Sequence, residues 1–130
     1  MEKLFSMSSE LIKHNINIIL IQIDEAHSTA WPLSINAILN IEQPEPQKTF
    51  EDRINRANYF VDNYHPPYDV YIDGWDNQFA ELFRAWPDKY HLIDQNKMIL
   101  AKSDYGTEGD KEAVILEDCT LLLQKLMSNI

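Results

Sequence analysis

The run Ile18-Ile19-Leu20-Ile21-Gln22-Ile23 ends directly in Asp24-Glu25-Ala26-His27, with no glycine or proline between. An apolar, largely β-branched run of this length predicts a strand buried on both faces, as in the interior of an α/β sheet. Ligands in open α/β folds gather at the carboxyl ends of strands. Glu25 and His27 therefore stand where site residues are expected. The surrounding sequence offers them no phosphate loop, metal cage or obvious nucleophile.

The 130 residues suit one domain with a proper core. An apolar share of 45% is that of a folded globule. A net charge of −10 argues against nucleic-acid or anionic-membrane binding, which needs clustered lysines and arginines. No apolar run approaches the roughly 20 residues of a membrane span. The opening Met1-Glu2-Lys3-Leu4-Phe5-Ser6 lacks the basic-then-apolar layout of a signal peptide. A single cysteine, Cys119, cannot form an internal disulfide, so the expectation is an intracellular, cytoplasmic chain.

Helical spacing of Leu4, Met7, Leu11 and His14 predicts a helix over 3–14, followed by the strand over 16–23. Residues 24–48 read as irregular, broken by Pro32, Pro44 and Pro46, with a short strand or half-turn within 35–41. Thr49 and Asp52 form an approximate capping box for a helix that Pro66-Pro67 stops. Its inner face is expected at Phe50, Ile54, Ala57, Val61 and Tyr64, with Glu51, Arg53 and Arg56 largely elsewhere. Tyr68 to Ile72 reads as a second buried strand. Asp76 is placed to cap a short helix carrying Phe79, Leu82, Phe83 and Trp86, which Pro87 ends. Tyr90–Ile93 and Met98–Lys102 flank the turn Asp94-Gln95-Asn96-Lys97 as a β-hairpin. After Gly109 and Asp110 a last helix runs to about Met127, with Ile115, Cys119, Leu122 and Leu126 inward. Strands separated by helices imply parallel pairing through right-handed crossovers, and the hairpin adds an antiparallel edge. The expected result is an α/β fold with a mixed four-stranded sheet and helices on both faces.

That order resembles the thioredoxin-like fold, and four stretches narrow it. Ile23-Asp24-Glu25-Ala26-His27 with Trp31 resembles the Ile-Glu-Glu-Ala-His…Gly-Trp signature of iodothyronine deiodinases. Thr49-Phe50-Glu51-Asp52-Arg53 is similar to the Ser-Leu-Glu-Asp-Arg run opening that family's next helix. Val70-Tyr71-Ile72-Asp73 with Asn77-Gln78 resembles the following strand and turn. Ala85-Trp86-Pro87-Asp88-Lys89-Tyr90 resembles Ala-Leu-Pro-Glu-Arg-Tyr. The resemblance spans about Leu11 to Lys102.

The resemblance also implies what departs from the family. Deiodinases carry selenocysteine, or cysteine in some relatives, in a Cys-Thr-Sec-Pro-Pro segment between a first strand and the first helix. Met1 aligns just past that segment, so the expectation is a domain without its usual first strand and nucleophile. The family's substrate-clamping histidine aligns near Gln47 or Lys48, and its partner arginine in the loop Ser103-Asp104-Tyr105-Gly106; neither residue type stands there. Glu25 and His27 are the functional residues that carry over.

An imidazole beside a carboxylate can hold and pass a proton near neutral pH. The alternative is that Glu25 caps the next turn while His27 bonds loop backbone. Reductive dehalogenation or peroxide reduction needs a thiolate or selenolate, which an acid–base pair cannot replace. Cys119 reads as an inert core thiol. His14, His65 and His91 sit at a helix end, before Pro66-Pro67 and in a strand, without the spacing of a zinc site. Asp62, Asp69, Asp73 and Asp76 lack the spacing of a calcium loop and read as caps and turns. Pro87 is either a cis-proline beside a site or a plain helix stop. Trp75, Phe79, Phe83 and Trp86 read as core, or as an interface if exposed. No metal or cofactor is expected.

Two functions follow. One is a non-catalytic binding or structural subunit, with a protein partner or a second copy at the sheet edge left open by the missing strand. The other is a selenol- or thiol-dependent reductase whose catalytic segment lies upstream of Met1, with Glu25 and His27 as acid–base neighbours.

Overall fold

The computed structural model describes residues 2–25, 28–30, 44–86, 89–103 and 116–128. The order of elements is α1 (Glu2–Ser6), α2 (Ser8–Lys13), β1 (Ile19–Gln22), α3 (Phe50–Tyr64), β2 (Asp69–Ile72), α4 (Gln78–Phe83), β3 (His91–Ile93), β4 (Ile99–Lys102) and α5 (Leu116–Ser128). The chain divides into two compact units. One comprises Met1–Ile19, Pro66–Asp69 and Asp88–Ile130, the other Leu20–His65 and Val70–Pro87.

In the first unit the expected single helix is two short ones. The interruption falls at Ser6-Met7-Ser8, where serines offer the backbone competing hydrogen bonds. Asn15 takes the left-handed conformation and Ile16 N–H closes back onto the Leu11 carbonyl, the pattern of a Schellman stop. Leu4 and Leu11 meet Leu123 of α5 in a small core, with Met7, Ile16, Ile18, Tyr68 and Met127 against it. Burial pushes the Tyr68 phenol up, and its hydroxyl donates to the Leu4 carbonyl. Along α5, Thr120 and Leu123 are buried, Met127 packs against the same core, and Leu122 and Leu126 are half-buried beside them. Leu123 is the residue that reaches Leu4 and Leu11, and this sets the rotation of the helix. Cys119 belongs to α5, but its side chain lies outside the described residues.

The same unit holds the hairpin. β3 and β4 pair antiparallel, His91 opposite Lys102, Leu92 opposite Ala101 and Ile93 opposite Ile99, with a bulge between Leu92 and Ile93. The turn forms as its sequence predicts. Asp94 Oδ1 accepts the amides of Asn96 and Met98, and Lys97 takes a positive φ. Ser103 closes the open end through two bonds with Tyr90.

In the second unit α3 starts on a complete capping box. Thr49 Oγ1 accepts from Asp52 N–H, and the Asp52 carboxylate accepts from Thr49 N–H. It ends at Tyr64, with His65 left-handed before Pro66-Pro67. The face it buries matches the expected one only in part: Ala57 is buried and Ile54 half-buried, but Arg53 is buried beside them, whereas Phe50, Val61 and Tyr64 remain substantially exposed.

Hydrogen bonding among the described strands gives two two-stranded sheets, β1 with β2 and β3 with β4. The sequence reading joined all four in one sheet. β1 is accordingly half-buried rather than covered on both faces, since such a strand needs neighbours on both edges and layers on both sides. β2 alternates, with Val70 and Ile72 inward and Asp69 and Tyr71 outward. Beyond β1, Ile23 is buried against Ala80 and Ala85, with Ile21, Phe79 and Phe83 packed around them.

Candidate functional site

The carboxyl ends of β1 and β2 lie side by side, because Asp73 N–H donates to the Gln22 carbonyl. Both strands run straight into acids there. The short helix α4 begins six residues past β2 and has no cap of its own: Asn77 is left-handed and caps nothing with its side chain. Instead the buried Asp73 carboxylate accepts both first-turn amides, Phe79 N–H at 3.0 Å and Ala80 N–H at 2.9 Å. A carboxylate at a helix start satisfies orphan donors and suits the dipole. Asp73 thus takes the capping role that the sequence reading gave to Asp76. The helix closes after Phe83, before Trp86, with Arg84 left-handed and Ala85 N–H on the Ala80 carbonyl.

Arg53 holds this corner together. It enters from the first turn of α3 with 1% of its side chain exposed. Nη1 donates to the Asp73 carbonyl at 3.1 Å and the Gly74 carbonyl at 2.7 Å. Nη2 donates to Asn77 Oδ1 at 2.8 Å and lies 3.6 Å from Asp24 Oδ1. Nε faces Gln47 Oε1 at 3.4 Å. Trp75 covers the guanidinium, whose carbon lies 5.0 Å from the ring centroid, a cation–π contact. Four hydrogen bonds and the ion pair with Asp24 tie the guanidinium to residues on both strand ends, so the group acts as a clamp. A buried charge is tolerable only when paired and hydrogen-bonded in this way.

Glu25 is half-buried one residue beyond Asp24, and its N–H donates to Asp24 Oδ1 at 3.1 Å. The same Asp24 oxygen therefore meets the Glu25 backbone and Arg53. His27, Ala26 and Trp31 lie outside the described residues, as does Pro87, so the structure places Glu25 at the strand end without describing its partner. Among the described residues no three His, Cys, Asp or Glu side chains are grouped as a metal ion requires. No described helix is long and apolar enough to cross a membrane. Gln47 Nε2 is buried with no hydrogen-bond partner, and turning the amide over would set its NH2 against Arg53 Nε.

The sequence reading missed Arg53 as a structural centre. Its signal was helical spacing: Arg53 shares a stripe with Ala57 and Phe60, whereas hydrophobicity pointed to the stripe of Phe50 and Val61. The aromatic residues also divide. Phe79 and Phe83 stack at 4.6 Å and join the core, while Trp75 and Trp86 stay well exposed. No family model, curated protein or solved structure matches this chain.

Proposed function

We propose that this chain is a deiodinase-related, thioredoxin-like domain that serves as a non-catalytic binding or structural subunit, engaging a protein partner or a second copy at an open sheet edge. The observation that carries this reading is Met98-Ile99-Leu100, three successive large apolar residues that are 62%, 50% and 57% exposed on and just before β4. Neighbours along a strand point to opposite faces. A strand with one solvated face alternates apolar and polar, so consecutive apolar residues belong to a strand covered on both faces. In this reading the cover for Met98, Ile99 and Leu100 comes from the partner.

The strand-end chemistry supports the same reading. Asp73 is occupied in capping α4, Arg53 in clamping two loops, and Asp24 in meeting Arg53 and the Glu25 amide. On this view Glu25 and His27 are vestiges of a catalytic pair. The sequence holds one thiol, Cys119, and it falls in α5, whereas Glu25 follows β1.

The test is intact mass spectrometry with selenium counting on the protein from its native source, paired with a dithiothreitol-driven assay of peroxide and iodoaromatic reduction. A selenium-free protein without turnover is the expected result. A heavier, selenium-bearing species that turns over would instead make Glu25 and His27 the acid–base neighbours of a selenol supplied by an upstream segment.

A further inference from the structure

We draw no further inference here: the strongest candidate, the exposed apolar surface of Ile93, Met98, Ile99 and Leu100 on the β3–β4 hairpin, carries nothing beyond the reading above, because nothing in the structure shows what covers it.

Discussion

The corner formed by Arg53 and the exposed strand β4 treat their surroundings in opposite ways. At the corner, the buried Arg53 guanidinium meets two loop carbonyls, Asn77 and the half-exposed Asp24 under Trp75, while the buried Asp73 carboxylate holds two helix amides. Along β4, apolar side chains meet solvent and one backbone edge has no described strand beside it. Polar groups taken from water lose more than they regain unless every donor finds an acceptor, so a corner like this is settled within the chain. Apolar surface has no such geometric demand, and another molecule can supply its cover later. The contrast separates the structural centre from the surface assigned to binding.

The sharpest way to break that contrast is Arg53→Met. It keeps the bulk but strips two carbonyls and Asn77 Oδ1 of their donor, and should cost about 3–5 kcal/mol, at about 1–3 kcal/mol for each buried acceptor left unsatisfied. Chemical denaturation measures the loss. Native-state hydrogen exchange at Phe79 and Ala80 should then rise, because the loop carrying their Asp73 acceptor is released. A variant within 1 kcal/mol of the parent would show that Arg53 is not the clamp described.

Leu11→Ala probes the other unit's core. Leu11 is 1% exposed against Leu4 and Leu123, and its truncation should cost about 3 kcal/mol through lost burial and a cavity. Exchange should rise first in α1, α2 and α5. If the amides of α4 respond as strongly, the two regions are not energetically distinct.

Asp73→Asn leaves one acceptor where two amides need it, and should cost about 1–2 kcal/mol, the range of a lost helix cap. Loss of helical signal confined to α4 checks it. A cap carried instead by Asp76 would leave Asp73→Asn silent.

The smallest effect is acid fraying of α3. The amide of Lys48, then the Thr49 hydroxyl and amide, hold the Asp52 carboxyl below its usual range. Its folded pKa is therefore the lower one, so the stabilisation is complete above the ordinary aspartate value and lost as pH falls through the folded value. Circular dichroism should show the first turn of α3 loosening only in that acid window. Asp52→Asn should lose this response, and an unchanged titration would remove the capping box from the account. The Glu10 carboxyl is likewise lowered, by its hydrogen bond from Lys13 and by Lys13's charge, but it lies on α2 and sets a separate surface titration.

Local chemistry was legible in the sequence wherever neighbouring residues decide the outcome. The box of Thr49 and Asp52, the stop at Pro66-Pro67, the Asp94–Lys97 turn and the hairpin flanking it all formed as their residues imply. The placement of Glu25 at the carboxyl end of a strand was legible too. What the sequence could not supply was which faces meet. Hydrophobicity favoured Phe50 and Val61 on α3, yet packing and hydrogen bonding buried Arg53, because two carbonyls, an amide and an acid converge on it from residues 24 and 73–77. Asp73 displaced Asp76 as a cap because only the folded loop brings its carboxylate to the amides of Phe79 and Ala80. Short-range hydrogen bonds and turns depend on residues a few positions apart, which the sequence by itself determines. The burial of one arginine and the exposure of Met98, Ile99 and Leu100 depend on partners distant in sequence, and only the tertiary structure decided them.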